Sequence, residues 1–135
     1  MPATLLLPTC LYIGHVFLLY GLLTLARAPV VWGNKQPTGD GAARYSVLES
    51  KISANLSNQF EWPLLYFVII VLISLEGAPV STMYVALAWV FFLGRLLHSA
   101  VQIGTGNIRL RGLVFTVNYL AVAAMWVLYS WQALT

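Results

Sequence analysis

Four stretches of the chain are long and almost continuously hydrophobic, and shorter polar segments separate them. They cover about residues 4–26, 46–75, 81–101 and 112–131. A bilayer core about 30 Å thick needs roughly 20 mostly apolar residues in a helix. Helices are favoured over barrel strands because backbone groups in lipid must bond within their own segment, and the alternation typical of barrel strands is absent. The pattern predicts an all-α integral membrane protein, a bundle of four transmembrane helices that forms one domain over residues 1–135.

The polar segments between these stretches have the composition of turns and loops. The first, "RAPVVWGNKQPTGDGAARY", is rich in Gly, Pro and Asn, while "EGAP" and "GTGNIRLRG" are short connections. Residues 2–26 contain no charged side chain, and their apolar run is longer than that of a typical secretory signal. We therefore expect the first hydrophobic stretch to be a retained helix.

Composition supports a membrane location and excludes a soluble domain. Hydrophobic residues make up 60 % of the chain and charged residues only 8 %, against about 25 % charged residues in an average soluble protein. The net charge of +3 is too small to indicate nucleic-acid binding, so membrane lipids are the expected surroundings. Six basic residues lie in or flank the first and third connections: Arg27, Lys35, Arg44, Lys51, Arg109 and Arg111. The positive-inside rule then predicts that these two connections are cytoplasmic and both termini are outside.

Polar side chains occur inside the predicted spans at one depth. Asn58 and Glu61 lie where the second span leaves the cytoplasmic side. Arg95, His98 and Gln102 lie where the third span returns to it. Both groups are therefore expected in the cytoplasmic third of the bilayer.

Helical spacing places each group on one face of its helix. At about 100° per residue, four polar residues of the second span share an arc of about 120°, namely Lys51, Asn55, Asn58 and Glu61. An ionised side chain inside a span costs about 2.5–3.5 kcal/mol on insertion scales, so such groups normally face a bundle interior or a wet cavity. Two interpretations are open: a buried Glu61–Arg95 ion pair that fixes helix register, and a polar, basic ligand pocket open to the cytoplasm.

Other single polar residues have simpler interpretations. Cys10 is the only cysteine, so no disulfide forms within one chain, and it is interpreted as structural together with His15. The two histidines, His15 and His98, stand apart from other ligand-type residues, so no metal site is expected. His98 is either an interface residue or a base, and Asn118 is interpreted as a contact that holds helices together.

Arg109 and Arg111 are both placed in the third connection, at the start of the last span. They are open to two interpretations, as determinants of topology or as binding groups for a phosphate, carboxylate or thiolate.

Two motifs resemble those of the MAPEG family, the membrane-associated proteins in eicosanoid and glutathione metabolism. "NQFEWPLLYF" is similar to the start of the family's second helix, especially in its bacterial members, and "VALAWVFFLGRLLHS" is similar to the third helix. The resemblance implies a homotrimer of four-helix bundles in a bacterial inner membrane. It also implies active sites between neighbouring subunits, near the cytoplasmic side.

The resemblance further implies glutathione as a cofactor and a lipophilic substrate that arrives through the membrane. Arg95 would hold a glutathione carboxylate, and Asn58 and Glu61 would hold its polar and amine groups. The other pocket residues would be His98, Lys51 and Gln102. Arg111 or Arg109 would stabilise the thiolate.

Two functions follow from this resemblance and stay open at this point. The first is a glutathione transferase or peroxidase, which requires an arginine directed into the pocket. The second is a non-catalytic lipid-binding or partner-binding protein, in which the polar cluster closes on itself as a Glu61–Arg95 pair. A transporter component is disfavoured because the fourth span carries no charge and no inverted repeat is present.

Overall fold

A computed structural model of the protein describes residues 3–33 and 40–134, with side chains of the second range described from residue 45 onward. Every regular element in this part of the chain is a helix: α1 (Ala3–Val31), α2 (Asp40–Ser57), α3 (Leu64–Leu75), α4 (Thr82–Gly104) and α5 (Ile108–Leu134). The all-α prediction is confirmed for these residues. Lys35 lies outside the described residues, and so does the side chain of Arg44.

Three of these helices are long and apolar enough to cross a membrane. They are α1, α4 and α5, with 29, 23 and 27 residues, and they correspond to the first, third and fourth predicted spans. The helix α3 is apolar but has only 12 residues, which is a length of about 18 Å. The helix α2 is more polar than the others.

The second predicted span is interrupted, because α2 ends at Ser57 and α3 begins at Leu64. Residues 58–63 form tight turns, in which backbone N–H groups bond to the carbonyl three residues earlier, for example Leu64 N to Glu61 O at 3.1 Å. Pro63 explains the interruption, since proline has no N–H and disfavours helical geometry in the residue before it. In a regular helix the carbonyl of Gln59 would accept from residue 63. Here the Tyr12 hydroxyl donates to that carbonyl at 3.2 Å instead.

The helix α4 contacts α5 most extensively and also packs on α1 and α2. It runs antiparallel to α2 and α5 and parallel to α1. At one end of the bundle, Arg27 of α1 pairs with Glu49 of α2, and the Lys51 ammonium donates to the Thr105 carbonyl that follows α4. The α1–α2 and α4–α5 connections therefore lie at the same end. At the other end, Thr9 bonds to Tyr66 of α3 at 2.9 Å.

Stacked and edge-on aromatic rings form the centre of the core. We call them the aromatic cluster: Tyr12, Trp62, Tyr66, Phe67 and Phe91. Phe91 stacks on Tyr66 with ring centroids 4.0 Å apart and planes inclined by 14°. Because the cluster draws on α1, α3 and α4, it fixes how these helices approach one another. Ser81 caps the start of α4 by accepting a hydrogen bond from Met83 N at 3.2 Å.

Candidate functional site

A groove of about 500 Å³ opens beside the interruption between α2 and α3. The end of α2, the last turns of α4 and the start of α5 form its walls. Five of the eight site residues predicted from the sequence line it: Asn58, Glu61, His98, Gln102 and Arg111. The structure thus brings together residues up to 53 positions apart (111 minus 58).

A second cavity of about 240 Å³ adjoins the groove. Gln102 and Arg111 are the polar residues that line both spaces, so they form the boundary between them. Lys51 lines the second cavity, and its ammonium donates to the Thr105 carbonyl at 3.2 Å. A cation at this position complements the carbonyl groups at the end of α4.

The two arginines at the start of α5 have different surroundings. Both side chains are exposed, but Arg111 lines the groove and the second cavity, whereas Arg109 lines neither. Because they are two residues apart on one helix, the side chains of Arg109 and Arg111 are separated by about 200° around its axis. Of the two candidates for stabilising a thiolate, only Arg111 is therefore positioned at the groove.

Arg95 is fully buried, with an exposed fraction of 0 %, and it does not line the groove. Its Nε donates to Gln59 Oε1 at 3.0 Å, and its Nη2 donates to the Asn58 carbonyl at 3.2 Å. The guanidinium carbon lies 5.5 Å from the centre of the Trp62 ring, within cation–π distance. Arg95 thus binds the interrupted backbone between α2 and α3.

The Glu61–Arg95 ion pair left open by the sequence is absent. Among the residues described, the ion pair that forms is Arg27–Glu49, at 2.6 Å. The physical reason is the interruption before Pro63: it directs a backbone carbonyl and the Gln59 amide at the guanidinium, while Glu61 is exposed at the groove. The carboxylate of Glu61 is therefore available to a ligand.

Polar side chains, all buried except the half-buried Asn58, connect Arg95 to the groove through hydrogen bonds. We call this set the amide network: His15, Asn55, Asn58, Gln59, Arg95, Ser99 and Gln102. Sequence reasoning gave no role to Gln59 or Ser99. The i, i+4 spacing of Asn55 and Gln59 on one helix face was the available signal for the first, and nothing in the sequence distinguishes Ser99.

Comparison with known protein families gives a match that covers most of the chain. The sequence model of the MAPEG family matches residues 4–131 of the 135-residue chain. The chain belongs to the MAPEG family. No curated protein and no solved structure gives a match. Membership and the apolar helices together establish an integral membrane protein.

Two further polar residues of this MAPEG protein lie on the α4–α5 interface. His98 is buried, lines the groove and has its ring centre 6.1 Å from that of Phe115. Asn118 is fully buried, and neither atom of its amide has a hydrogen-bond partner in the part of the chain described. A Cβ atom at Gly94 would collide with the Asn118 amide, so the absence of a side chain at Gly94 permits the close approach of the two helices.

The charges at the groove are suited to a zwitterionic ligand. The Glu61 carboxylate can bind an ammonium group, and the Arg111 guanidinium can bind a carboxylate or another anion. Amides of Asn58 and Gln102 and the imidazole of His98 add neutral hydrogen-bonding groups. This MAPEG protein therefore presents both charge signs and several neutral partners in one groove.

Proposed function

We propose that the protein is a glutathione-dependent transferase or peroxidase that acts on lipophilic substrates. Members of the MAPEG family generally use glutathione. The observation that carries the proposal is that Glu61 and Arg111, which have opposite charges, line a single groove of about 500 Å³.

Glutathione matches the groove group by group. It carries one ammonium, two carboxylates and a thiol, so its binding requires an anion, cations and neutral donors. Glu61 binds the ammonium, while Arg111 binds an anionic group and Lys51 of the adjoining cavity binds a carboxylate. Asn58, His98 and Gln102 bond to the peptide portion of the ligand. Arg95 has no direct contact with glutathione in this proposal because it is buried behind the groove.

The chemistry is generation and transfer of a thiolate. A free thiol has a pKa of about 8.5, and a neighbouring guanidinium lowers it, which raises the nucleophilic fraction at neutral pH. In a conjugation, the thiolate forms a C–S bond with an electrophilic carbon, and the electrophile takes up a proton or releases its leaving group. With a lipid hydroperoxide, two glutathione molecules are oxidised to the disulfide while the hydroperoxide is reduced to an alcohol and water.

The membrane arrangement that suits this function has four spans. The helices α1, α4 and α5 supply three, and α3 together with the turns before it supplies the fourth. With the α1–α2 and α4–α5 connections in the cytoplasm and both termini outside, the groove opens near the cytoplasmic side of a bacterial inner membrane. In a homotrimer, a neighbouring subunit would close the exposed side of the groove, and lipophilic substrates would enter from the bilayer.

Isothermal titration of glutathione and S-hexylglutathione into protein in detergent tests this proposal. Wild type is expected to bind both. Arg111→Ala and Glu61→Gln are each expected to weaken binding more than about tenfold, which corresponds to about 1.4 kcal/mol. Arg109→Ala is the matched control, because it removes the same charge two residues away, outside the groove.

Either of two results would overturn the assignment. Absence of wild-type binding at millimolar glutathione would favour the non-catalytic lipid-binding or partner-binding interpretation. An equal effect of Arg109→Ala and Arg111→Ala would show that net charge, rather than the groove, determines affinity.

A further inference from the structure

The buried guanidinium of Arg95 can donate hydrogen bonds but cannot accept them. Its Nε lies 3.0 Å from one terminal atom of the Gln59 side chain, so that atom must be the oxygen. The Tyr12 hydroxyl also approaches this oxygen, at 3.2 Å. The orientation of the Gln59 amide is therefore fixed by its chemical surroundings.

The same reasoning fixes the next two amides. With its oxygen facing Arg95, Gln59 directs Nε2 at Asn55 Oδ1, at 3.1 Å. Asn55 then directs Nδ2 at Gln102 Oε1, also at 3.1 Å. In the series Arg95, Gln59, Asn55, Gln102, each amide accepts a hydrogen bond from the preceding member. Gln59 and Asn55 each donate to the next member. Arg95 therefore sets the donor-to-acceptor direction of the whole series.

Two side branches agree with this polarity. Ser99 donates to Asn55 Oδ1 at 2.9 Å, and it therefore accepts from His15 Nε2, also at 2.9 Å. Asn58 Nδ2 donates to Gln102 Oε1 at 3.4 Å. The oxygen of Gln102 thus receives two donors, and its NH2 group has no partner in the described chain.

The Gln102 side chain is nine-tenths buried, with an exposed fraction of 7 %, yet it lines both the groove and the second cavity. Because its oxygen is bonded to Asn55 and Asn58, the remaining polar group of this amide is a donor. Arg111 lines the same boundary. A ligand atom held there meets one cation and one amide donor.

We infer that Arg95 is a positioning residue, which acts through Gln59 and Asn55 to present the Gln102 amide as a hydrogen-bond donor to an anionic atom of the ligand. This inference rests on the proposed function for the identity of the ligand, glutathione. Serial hydrogen bonds polarise one another in a low-dielectric interior. A buried cation at the first position of the series therefore makes the last amide a better donor.

The substitution Gln59→Glu tests this series without replacing a residue that lines the groove. A carboxylate at residue 59 accepts from Arg95 and Tyr12 as before, but it cannot donate to Asn55. The Asn55 amide then turns its NH2 toward residue 59 and Ser99, so Ser99 accepts from Asn55 and donates to His15 Nε2. The Gln102 and Asn58 amides turn in response. Gln102 now presents its oxygen at the boundary, where it repels an anion.

Glutathione titration is expected to show at least about tenfold weaker binding for Gln59→Glu. Gln102→Met removes the terminal amide and weakens binding directly. In the Gln102→Met background, adding Gln59→Glu should change affinity less than about twofold, since the two substitutions act on one donor. Gln132→Glu is the matched control: it makes the same chemical change at an exposed residue of α5 and should leave affinity unchanged.

A measurement without ligand separates this inference from the proposed function. The chain has four glutamines, so glutamine-selective ¹⁵N labelling gives four pairs of side-chain amide signals, and the Gln102 pair is the one lost in Gln102→Met. Gln59→Glu is expected to shift that pair, while Gln132→Glu leaves it in place. The inference would be overturned if the Gln102 signals did not shift in Gln59→Glu. It would also be overturned if Gln59→Glu and Gln102→Met had additive effects on affinity. If wild type binds no glutathione, the proposed function fails and the amide signals alone decide the inference.

Discussion

The aromatic cluster and the amide network are both buried in the same bundle, but different properties of their residues hold them together. The stacked pair Tyr66–Phe91 depends on ring shape and contact area. The bonded series from Arg95 to Gln102 depends on which atom donates at every step. A change of volume should disturb the first region most, and a change of polarity the second.

The two regions meet where the backbone is interrupted. Tyr12 belongs to the aromatic cluster through its ring, and its hydroxyl bonds to the carbonyl of Gln59. Trp62 packs on Phe91 and lies under the Arg95 guanidinium. A buried helix interruption leaves backbone groups without helical partners, and these must be satisfied by other groups. The Tyr12 hydroxyl, at the contact between the two regions, supplies one such partner.

The largest effect on stability is expected from Phe91→Ala in the aromatic cluster. Phe91 is fully buried and contacts the rings of Tyr12, Trp62 and Tyr66. Removing a buried phenyl ring typically costs about 3–5 kcal/mol, because transfer and cavity terms add. Unfolding in detergent should show this loss. A loss below about 1 kcal/mol would mean that the cluster repacks around the space.

A smaller loss is expected from Asn55→Leu in the amide network. The two side chains are similar in size, so the effect is one of polarity. The substitution leaves Ser99 and Gln59 each without one acceptor, and Gln102 without one donor. Leaving a buried polar group unsatisfied costs about 1–3 kcal/mol. Unfolding in detergent measures the loss, and unchanged stability would show that the network contributes nothing to it.

The same substitution at Asn118 should have the opposite sign. Asn118 is as fully buried as Asn55, but its amide has no partner in the described chain. Replacing an unsatisfied amide by an apolar side chain of similar shape removes a desolvation penalty, so Asn118→Leu is expected to stabilise the protein by about 1 kcal/mol. The pair Asn55→Leu and Asn118→Leu is thus a matched test of hydrogen bonding at equal burial. A loss of stability in Asn118→Leu would contradict the absence of a partner.

The sequence predicted the helices better than it predicted the connections between their side chains. Long apolar runs determine α1, α4 and α5 because the energy of burying backbone in lipid depends on composition along one segment. The sequence also predicted that Asn58, Glu61, His98 and Gln102 lie close together. The direction of each span determines the depth of a residue in the membrane, and helical spacing determines the helix face on which it lies. These residues do line one groove.

Helical spacing and span direction did not predict the hydrogen-bond partners of Arg95. Its position in a span indicated a partner, and Glu61 was the nearest carboxylate in depth. The actual partners are a backbone carbonyl and the Gln59 amide, which become accessible only because the helix is interrupted before Pro63. The proline was visible in the sequence. Which groups would satisfy the freed carbonyls depended on tertiary packing, which no spacing along one helix specifies.

The smallest expected effect concerns an ion pair outside both regions. Arg27 and Glu49 pair at 2.6 Å near the α1–α2 connection, with side chains 51 % and 25 % exposed. Exposed pairs contribute about 0–1 kcal/mol and are screened by salt. Glu49→Gln should therefore lower the unfolding midpoint in detergent only slightly at low salt, and the difference from wild type should vanish near 1 M salt. If the difference instead persists, bulk solvent does not screen the pair. The end of the bundle near α2 would then lie within a low-dielectric layer, where the same two charges interact more strongly.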